Sequence, residues 1–323
     1  MILPVFNRKD LLPATVDSVL QQTYQDFELL IVDDGSSDGS YELALKYASD
    51  NPGRVRALHH PDRCNKGVSA TRNLGCRSAR GEFLAFIDSD DLWFPDKLQR
   101  QVDVMRTRPE IGLCYSLVSI RRSGYGENFV PGAESWGKPP VERPADSVEA
   151  LLKGQMELQI STLLVRAPLF HSVGGFDEAL PFQNEDRLLV SKLCFLAPAA
   201  MVPACLCTYY VHDSSFTSGV MKRDIGNLLE VDFVSRLGVW LAFRSGGHRI
   251  ARQVIPKHLG SHLVIASSKK STRRYARLLL RHILQMGCLF PTAVGPIHSA
   301  LRVYGRVTFV KDCVVTYRGD LNS

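Results

Sequence analysis

Short apolar segments alternate with longer amphipathic segments along residues 1–100 of this chain. Compact apolar runs bounded by polar residues or glycine predict strands, and apolar residues spaced three and four apart predict helices. The predicted strands are 1–7, 27–32, 55–59 and 83–87, and the predicted helices are 10–22, 41–49 and 67–79. Strands that alternate with helices at this spacing are typical of right-handed βαβ units. We therefore expect an α/β fold with a mainly parallel central sheet.

The pattern becomes less regular after residue 100. Helices are predicted over 96–105, 146–154 and 187–196, and strands over 113–120, 160–166 and 207–212. Residues 121–144 are rich in Gly, Pro and Ser, which favours a long loop that could act as a mobile lid. Helical periodicity dominates from residue 222 onward.

This pattern predicts one α/β domain over residues 1–221, with a helical, basic C-terminal extension over 222–323. The regular alternation covers a first part of the domain, about 1–115, and the less regular pattern covers a second part, about 116–221. The predicted first strand is short, so the natural chain could begin upstream of Met1.

Net charge separates these two parts of the chain. The total of +6 divides into −6 for residues 1–221 and +12 for the rest. The eight cysteines show neither C-x-x-C nor zinc-finger spacing, which favours reduced thiols in the cytoplasm. No secretory signal or apolar membrane span is evident, so a cytoplasmic location is expected.

Carboxylates follow two of the predicted strands directly. Three lie within four residues at Asp88-Ser89-Asp90-Asp91, and two more form Asp33-Asp34. The carboxyl ends of parallel strands are where open α/β sheets bind ligands. Clustered carboxylates repel one another unless a cation compensates them, and Mg²⁺ or Mn²⁺ bound to a diphosphate would do so. The alternative is that these acids, like Asp38, are turn and helix-cap residues.

Two common phosphate-binding motifs are absent from the sequence. No G-x-G-x-x-G follows a predicted strand, and no G-x-x-x-x-G-K-[ST] occurs. A nucleotide site formed by carboxylates and a metal ion is therefore the favoured hypothesis.

Several ordered segments resemble the family-two glycosyltransferases of the GT-A fold over about residues 1–215. The segments that carry this resemblance are Pro4–Arg8, Ser18–Thr23, Ile31–Asp38, Asn65–Gly67, Ala70–Gly75, Gly81, Phe86–Asp91, Gly174–Glu178 and Glu185–Asp186. Each segment is weak by itself, but their order and spacing make the resemblance specific. It implies a nucleotide-binding domain over 1–221, with a nucleotide-sugar part at about 1–115 and an acceptor part at about 116–221.

The resemblance implies a nucleotide-sugar site formed by Pro4, Phe6, Asn7, Asp33, Asp34, Arg72, Asp88 and Ser89. Phe6 stands where this family usually has tyrosine. Asp34, or alternatively Asp33, would accept a hydrogen bond from the base, most often from uracil N3–H. Asp88 would approach the ribose or the metal. Arg72 could instead lie on a solvent-exposed helix face.

The resemblance also implies the metal ligands and the catalytic base. Asp90 would bind Mg²⁺ or Mn²⁺ on the diphosphate, and His212 could complete the metal site or be a surface histidine. Asp186, with Glu185 as the second choice, would remove the proton from the attacking acceptor hydroxyl. Alternatively, Asp186 only stabilises the N-terminus of its helix. The Gly174-Gly175 turn would open room for the acceptor sugar.

The expected activity is an inverting, metal-dependent transfer of a sugar from a UDP-linked donor to a glycan or lipid-linked acceptor in cell-envelope polysaccharide synthesis. A nucleotidyltransferase is one alternative, but Asn7–Asp10 lacks the glycine-rich loop that such an enzyme carries. A non-catalytic glycan-binding relative is another, although it would not need both Asp90 and Asp186. A nucleic-acid role for the basic extension is not expected, since no recognisable nucleic-acid module is present.

Within the extension, residues 269–290 place leucines beside arginines. On a helix this composition can form an apolar strip flanked by cations, so peripheral contact with an anionic membrane at the inner face of the cell membrane is one hypothesis, ranked second. The alternative is that the leucines pack against the catalytic domain.

Overall fold

The computed structural model of this protein describes residues 1–122, 135–141, 144–180, 184–211, 233–234, 236–238, 240–241, 243–254, 307–309 and 315–317. The chain divides into two compact units. The first unit comprises Met1–Pro181 with Leu189–Ser215, and the second comprises Phe182–Leu188 with Phe216–Ser323.

A parallel sheet of three strands begins the first unit. Its order is β1 (Ile2–Val5), β2 (Leu29–Asp33) and β3 (Val55–His59). Both pairings are parallel, and every residue of β1 and β2 is buried. The strands alternate with α1 (Leu12–Leu20), α2 (Ser40–Asp50) and α3 (Val68–Ser78). The predicted α/β fold is confirmed, and the predicted parallel sheet is present in this part.

A fourth segment lies against the free side of β1, next to β4 (Phe83–Ala85). Ile2 pairs with Phe86 in parallel orientation, and the backbone N–H of Ile87 donates to the Ile2 carbonyl at 3.1 Å. The carboxyl ends of β1, β2 and the segment after β4 therefore meet at one edge.

The second sheet of this unit is mixed rather than mainly parallel. Its order is β4, β8 (Leu164–Arg166), β6 (Leu113–Arg122), β9 (Ala199–Val211) and β5 (Leu92–Trp93), with β7 (Ser135–Trp136) also paired to β6. Only β6 and β9 are parallel among the described pairs of this sheet.

Four further helices are α4 (Lys97–Thr107), α5 (Pro144–Leu152), α6 (Ala167–Ser172) and α7 (Glu185–Leu196). The short elements β5, β7 and α6 were not predicted, and β9 begins at Ala199 rather than at Cys207. The predicted strand over 160–166 is wrong in its first half, where Ile160–Thr162 form a 3₁₀ turn. Local hydrogen bonds explain this turn, since the Gln159 side chain accepts from the Ser161 N–H and Thr162 Oγ1 donates to the Gln159 carbonyl.

The second unit contains both helical and extended residues. The described residues between 233 and 241 are helical, and α8 (Gly247–Arg249) continues into a π-helical turn at Ile250–Val254. An antiparallel pair, β10 (Val307–Phe309) with β11 (Val315–Tyr317), was not predicted within the mainly helical extension. Residues 269–290 lie outside the described residues. In the part of the chain that the structure describes, no helix combines the length and the apolar character needed to cross a bilayer.

Helix α3 packs directly on the parallel sheet. A Cβ atom on Gly75 would lie 2.7 Å from Ile2 Cγ2 and 3.1 Å from Val32 Cγ2. Because neither neighbour can withdraw from a close-packed core without cost, glycine at this position lets α3 approach β1 and β2.

Lys97, in the first turn of α4, is fully buried in this core. Its Nζ donates to Gln101 Oε1 at 2.7 Å and lies 4.0 Å from the centre of the Trp93 ring. Burial lowers the pKa of Lys97 from 10.5 to about 7, because an apolar environment disfavours the charged form.

This shift predicts a pH-dependent stability. Between pH 7 and 10.5 the unfolded chain holds the Lys97 proton more tightly than the folded protein does. The contribution of Lys97 to the free energy of unfolding should therefore rise with pH in this window, by up to about 1.4 kcal/mol per pH unit. Lys97→Met removes this titration. The free energy of unfolding of the wild type should therefore rise relative to that of Lys97→Met between pH 7 and pH 9, as measured by urea unfolding.

The exposed Lys153 offers a matched control, because Lys153→Met removes a lysine whose side chain lies at the surface and pairs with Glu149. Its difference from the wild type should stay nearly constant with pH. A Lys97→Met difference that is equally constant would contradict the lowered pKa.

Candidate active site

The loop after β1 carries an exposed aromatic ring and a fixed asparagine. Pro4 lies within β1, paired with Val32, while Phe6 is 45% exposed. Asn7 adopts a positive φ of 51°. Its backbone N–H donates to Ser36 Oγ at 3.0 Å, and its Oδ1 accepts from the Ser37 N–H at 2.8 Å. Asn7 therefore ties the loop after β1 to the loop after β2 and leaves the Phe6 ring accessible.

Asp33 closes the turn at the end of β2. Its Oδ2 accepts from the backbone N–H groups of Gly35 and Ser36, at 3.0 and 3.1 Å. Its Oδ1 is buried and has no hydrogen-bond partner among the described residues. A buried carboxylate oxygen in this state costs free energy until a donor reaches it.

Asp34, by contrast, has both carboxylate oxygens occupied. Oδ1 accepts from the Lys66 N–H at 2.7 Å, and Oδ2 accepts from the Gly67 N–H at 3.0 Å. His60 Nε2 lies 3.5 Å from Oδ1. Asp34 thus holds the loop that leads into α3, which makes it a weaker candidate than Asp33 for accepting a hydrogen bond from a base.

Asp38 lies in the turn before α2, as the alternative interpretation expected, and Gly39 occupies the N-cap position. Its Oδ1 accepts from the backbone N–H and the hydroxyl of Ser40, and its Oδ2 accepts from the Lys9 N–H. Burial raises the pKa of Asp38, but these hydrogen bonds outweigh it and the net pKa is lowered.

Arg72 faces the protein interior. Its side chain is only 3% exposed, and Nη2 donates to Asp88 Oδ1 at 2.6 Å. The guanidinium also lies 5.2 Å from the centre of the Phe176 ring. The structure therefore excludes a solvent-exposed Arg72 and places its charge against the first carboxylate after β4.

The acidic turn, which we define as Asp88–Asp91, contains carboxylates in two environments. Asp88 and Asp90 are partly exposed, whereas Ser89 is buried and Asp91 is fully buried. The Asp91 N–H donates to the Asp88 carbonyl at 3.1 Å, which closes the turn. Burial, followed by the charges of Asp88 and Asp90, raises the pKa of Asp91 well above its usual value.

Asp88 and Asp90 are therefore the two carboxylates of this turn that could hold a cation. No group of three or more metal-ligating side chains occurs within the described residues. This donor set nevertheless fits Mg²⁺ or Mn²⁺, because Mg²⁺ is usually held by one or two carboxylates together with substrate phosphates. His212 lies outside the described residues, so its role stays a prediction.

Glu185 and Asp186 occupy the first turn of α7, within the second unit. Asp186 Oδ1 accepts from the Arg187 N–H at 2.7 Å, and Arg187 Nη1 donates to Asn184 Oδ1 at 3.3 Å. Carboxylates in the first turn are stabilised by the helix dipole. The catalytic roles of both residues remain predictions.

Asn73 and Phe176 form a contact that the sequence did not reveal. Asn73 Nδ2 donates to the Phe176 carbonyl at 2.9 Å and to Glu178 Oε1 at 2.8 Å, and its Oδ1 accepts from the Phe176 N–H at 3.0 Å. A Cβ atom on Gly175 would lie 2.7 Å from Asn73 Oδ1. Gly175 therefore allows α3 to bind this loop, which differs from the predicted role of opening room for an acceptor. The partners lie 103 positions apart, so only a family-wide pairing signal could have linked them.

Comparison with known proteins identifies the family of the N-terminal region. Residues 1–147 match the family model described as glycosyl transferase family 2. An uncharacterized glycosyltransferase of Haemophilus influenzae is 27% identical over 221 residues, which cover 68% of this chain and 70% of that protein. An uncharacterized glycosyltransferase of Rickettsia felis is 43% identical over 124 residues, but the match covers only 38% of this chain and 20% of that protein.

A relative with a named activity is more informative about chemistry. The Escherichia coli protein WfgD, a UDP-Glc:alpha-D-GlcNAc-diphosphoundecaprenol beta-1,3-glucosyltransferase, is 37% identical over 105 residues. The match covers 32% of this chain and 40% of that protein.

Solved structures share the fold at low sequence identity. Staphylococcus aureus TarS 1-349 in complex with UDP has a TM-score of 0.62 at 16% identity, covering 99% of this chain and 96% of that one. The mannosyltransferase PcManGT from Pyrobaculum calidifontis, in complex with GDP-Man and Mn²⁺, has a TM-score of 0.53 at 16% identity, covering 94% and 86%. Residues 1–147 of this chain therefore match glycosyl transferase family 2, and the chain shares the GT-A fold of these solved glycosyltransferase structures.

Proposed function

We propose that this protein transfers a sugar from a UDP-linked donor to a hydroxyl group of a glycan or lipid-linked acceptor, with inversion at the anomeric carbon. The observation that carries this proposal is the parallel pairing of β1 with both β2 and the segment at Phe86. It brings Phe6, Asp33 and the acidic turn to one edge of the sheet, where α/β proteins bind nucleotides.

The nucleoside would be held at the carboxyl ends of β1 and β2. The exposed Phe6 ring offers an apolar face for a base, and Asp33 Oδ1 is a buried acceptor with no described partner. An N–H group of uracil would satisfy this oxygen. We therefore assign the base contact to Asp33 and a loop-holding role to Asp34.

The diphosphate would be held by the acidic turn. Asp88, oriented by Arg72, and Asp90 would hold Mg²⁺ or Mn²⁺ together with phosphate oxygens. When bound, the ion would neutralise the negative charge that develops on the departing diphosphate. Ser89, buried between these two carboxylates, would keep the turn compact.

The acceptor hydroxyl oxygen would attack the anomeric carbon as the bond from that carbon to the diphosphate oxygen breaks. The proton of the hydroxyl would pass to the carboxylate of Asp186, with Glu185 as the alternative base. A single displacement of this kind inverts the anomeric centre without a covalent enzyme intermediate.

An acceptor carried on a lipid diphosphate, in cell-envelope polysaccharide synthesis, is the context we propose. It is supported by the similarity to WfgD, whose name specifies such an acceptor. Peripheral membrane contact through residues 269–290 and a cytoplasmic location stay predictions from the sequence.

The test is a panel of UDP-, GDP- and dTDP-linked sugars with Mn²⁺ or Mg²⁺, in which release of the nucleoside diphosphate is measured with and without lipid-linked acceptors. We expect acceptor-dependent release of UDP from one or a few donors. Release of inorganic pyrophosphate from a nucleoside triphosphate would instead indicate a nucleotidyltransferase. Binding of glycans without turnover of any donor would indicate a non-catalytic relative.

A further inference from the structure

The acidic turn is braced by a second turn that lies about seventy positions later in the chain. Ser161, in the 3₁₀ turn before β8, is fully buried. Its hydroxyl accepts from the Asp88 N–H at 3.0 Å and donates to Asp91 Oδ2 at 2.6 Å. A serine hydroxyl has one proton to donate, so its single donor is committed to Asp91 and it holds both ends of the acidic turn.

Asp91 connects this brace to two further groups. Its Oδ2 also accepts from Gln159 Nε2 at 2.9 Å, and its Oδ1 accepts from the Tyr210 N–H at 3.2 Å. Three donors from two other segments therefore surround one buried carboxyl group. Loss of a donor to such a group is costly because water cannot replace it.

Ser161 is itself fixed from both sides. Its backbone N–H donates to Gln159 Oε1 at 2.6 Å, and its carbonyl accepts from Trp93 Nε1 at 2.7 Å. Trp93 lies in β5, directly after the acidic turn. These two backbone hydrogen bonds fix the position of the Ser161 hydroxyl. The acidic turn can bond to this hydroxyl at both ends only in one conformation.

We propose that Ser161 is a positioning residue of the donor site, whose hydroxyl holds the acidic turn in the conformation that presents Asp88 and Asp90 to a metal-bound nucleoside diphosphate. This inference rests on the proposed function, because it takes Asp88 and Asp90 to be the diphosphate-binding carboxylates. Ser161 would act through the turn and would not touch the donor itself. Pre-organised ligands bind more tightly because less ordering remains to be done on binding.

The experiment compares Ser161→Ala with Thr162→Val in the full chain. Thr162 is a matched control, since its hydroxyl is equally buried in the same 3₁₀ turn but donates only to the Gln159 carbonyl. Calorimetry would measure UDP binding with and without Mn²⁺, with GDP as a second probe, and thermal unfolding would be measured in parallel.

We expect Ser161→Ala to weaken UDP binding in the presence of Mn²⁺ by roughly tenfold, which corresponds to about one lost buried hydrogen bond. The loss should be smaller without Mn²⁺. Thr162→Val should bind UDP within about twofold of the wild type, even where the two variants lose similar thermal stability. If Ser161→Ala does not fold, Ser161→Cys retains a small side chain with a weaker donor and should show the same selective loss.

Equal UDP affinity in Ser161→Ala and the wild type would overturn this role. So would an equal loss in both variants, because the hydroxyl would then act only through the stability of its turn. If the wild type binds neither UDP nor GDP, the proposed function itself fails, an outcome distinct from these two.

Discussion

Asp90→Asn is expected to leave a folded protein whose transfer rate falls by roughly 10²–10³-fold, the range seen when a group that stabilises developing negative charge is removed. The carboxamide keeps the shape of the side chain but loses the charge that would hold the cation. Asp90 is partly exposed within the acidic turn, so the substitution leaves the buried Asp91 in place.

The measurement is the steady-state transfer rate with the best donor of the panel, together with the dependence of UDP affinity on Mn²⁺. Asp96→Asn provides the control, because Asp96 is an exposed carboxylate paired with Arg100 and lies outside the acidic turn. Its rate should match that of the wild type. Full activity of Asp90→Asn in buffer containing Mn²⁺ would remove Asp90 from the metal site.

Asp186→Asn is expected to lower the transfer rate by roughly 10²–10⁴-fold, the contribution of a positioned general base. The affinity for UDP should stay nearly unchanged, since the residues that we propose to bind the nucleotide belong to the first unit and Asp186 to the second. Calorimetry with UDP and Mn²⁺ would test this separation beside the rate measurement.

Glu185→Gln is the matched comparison for Asp186→Asn, because the two acids are neighbours in the first turn of α7. A larger rate loss in Glu185→Gln would reverse the assignment of the base. If UDP binding collapsed together with activity in Asp186→Asn, then Asp186 would have to serve the donor site or the fold.

Local periodicity explains why the parallel sheet could be predicted. The strand β2 is a fully buried apolar run that ends at Asp33. The predicted limits of β2, β3 and α3 lie within two residues of the observed ones. The convergence of the strand ends then follows from the βαβ connection. Elements whose form depends on distant partners, such as β5 and β7, leave no such pattern.

Within the candidate site, the residue types could be predicted but their environments could not. The sequence places Asp33 beside Asp34 and gives no reason to distinguish them, whereas the structure binds both oxygens of Asp34 to the Lys66–Gly67 backbone. The sequence is equally compatible with an exposed Arg72, whereas the structure places its side chain against Asp88 and the Phe176 ring. Burial and pairing across the sheet decide such roles, and neither is encoded in local spacing.

The contacts that span the longest sequence separations also set the order in which the site can assemble during synthesis. Asn73 can form its hydrogen bonds only after Phe176, 103 positions later, has been synthesised. Asp91 requires Ser161 and then Tyr210, which lies 119 positions later. Because a nascent chain emerges from its N-terminus, the parallel strands can pair well before these partners exist. The acidic turn must therefore complete its buried hydrogen bonds late, after a loop closure that is slow for contacts of such high order. A polypeptide truncated at residue 147 would have the strands of a nucleotide-binding fold but would leave the carboxyl group of Asp91 without three of its donors.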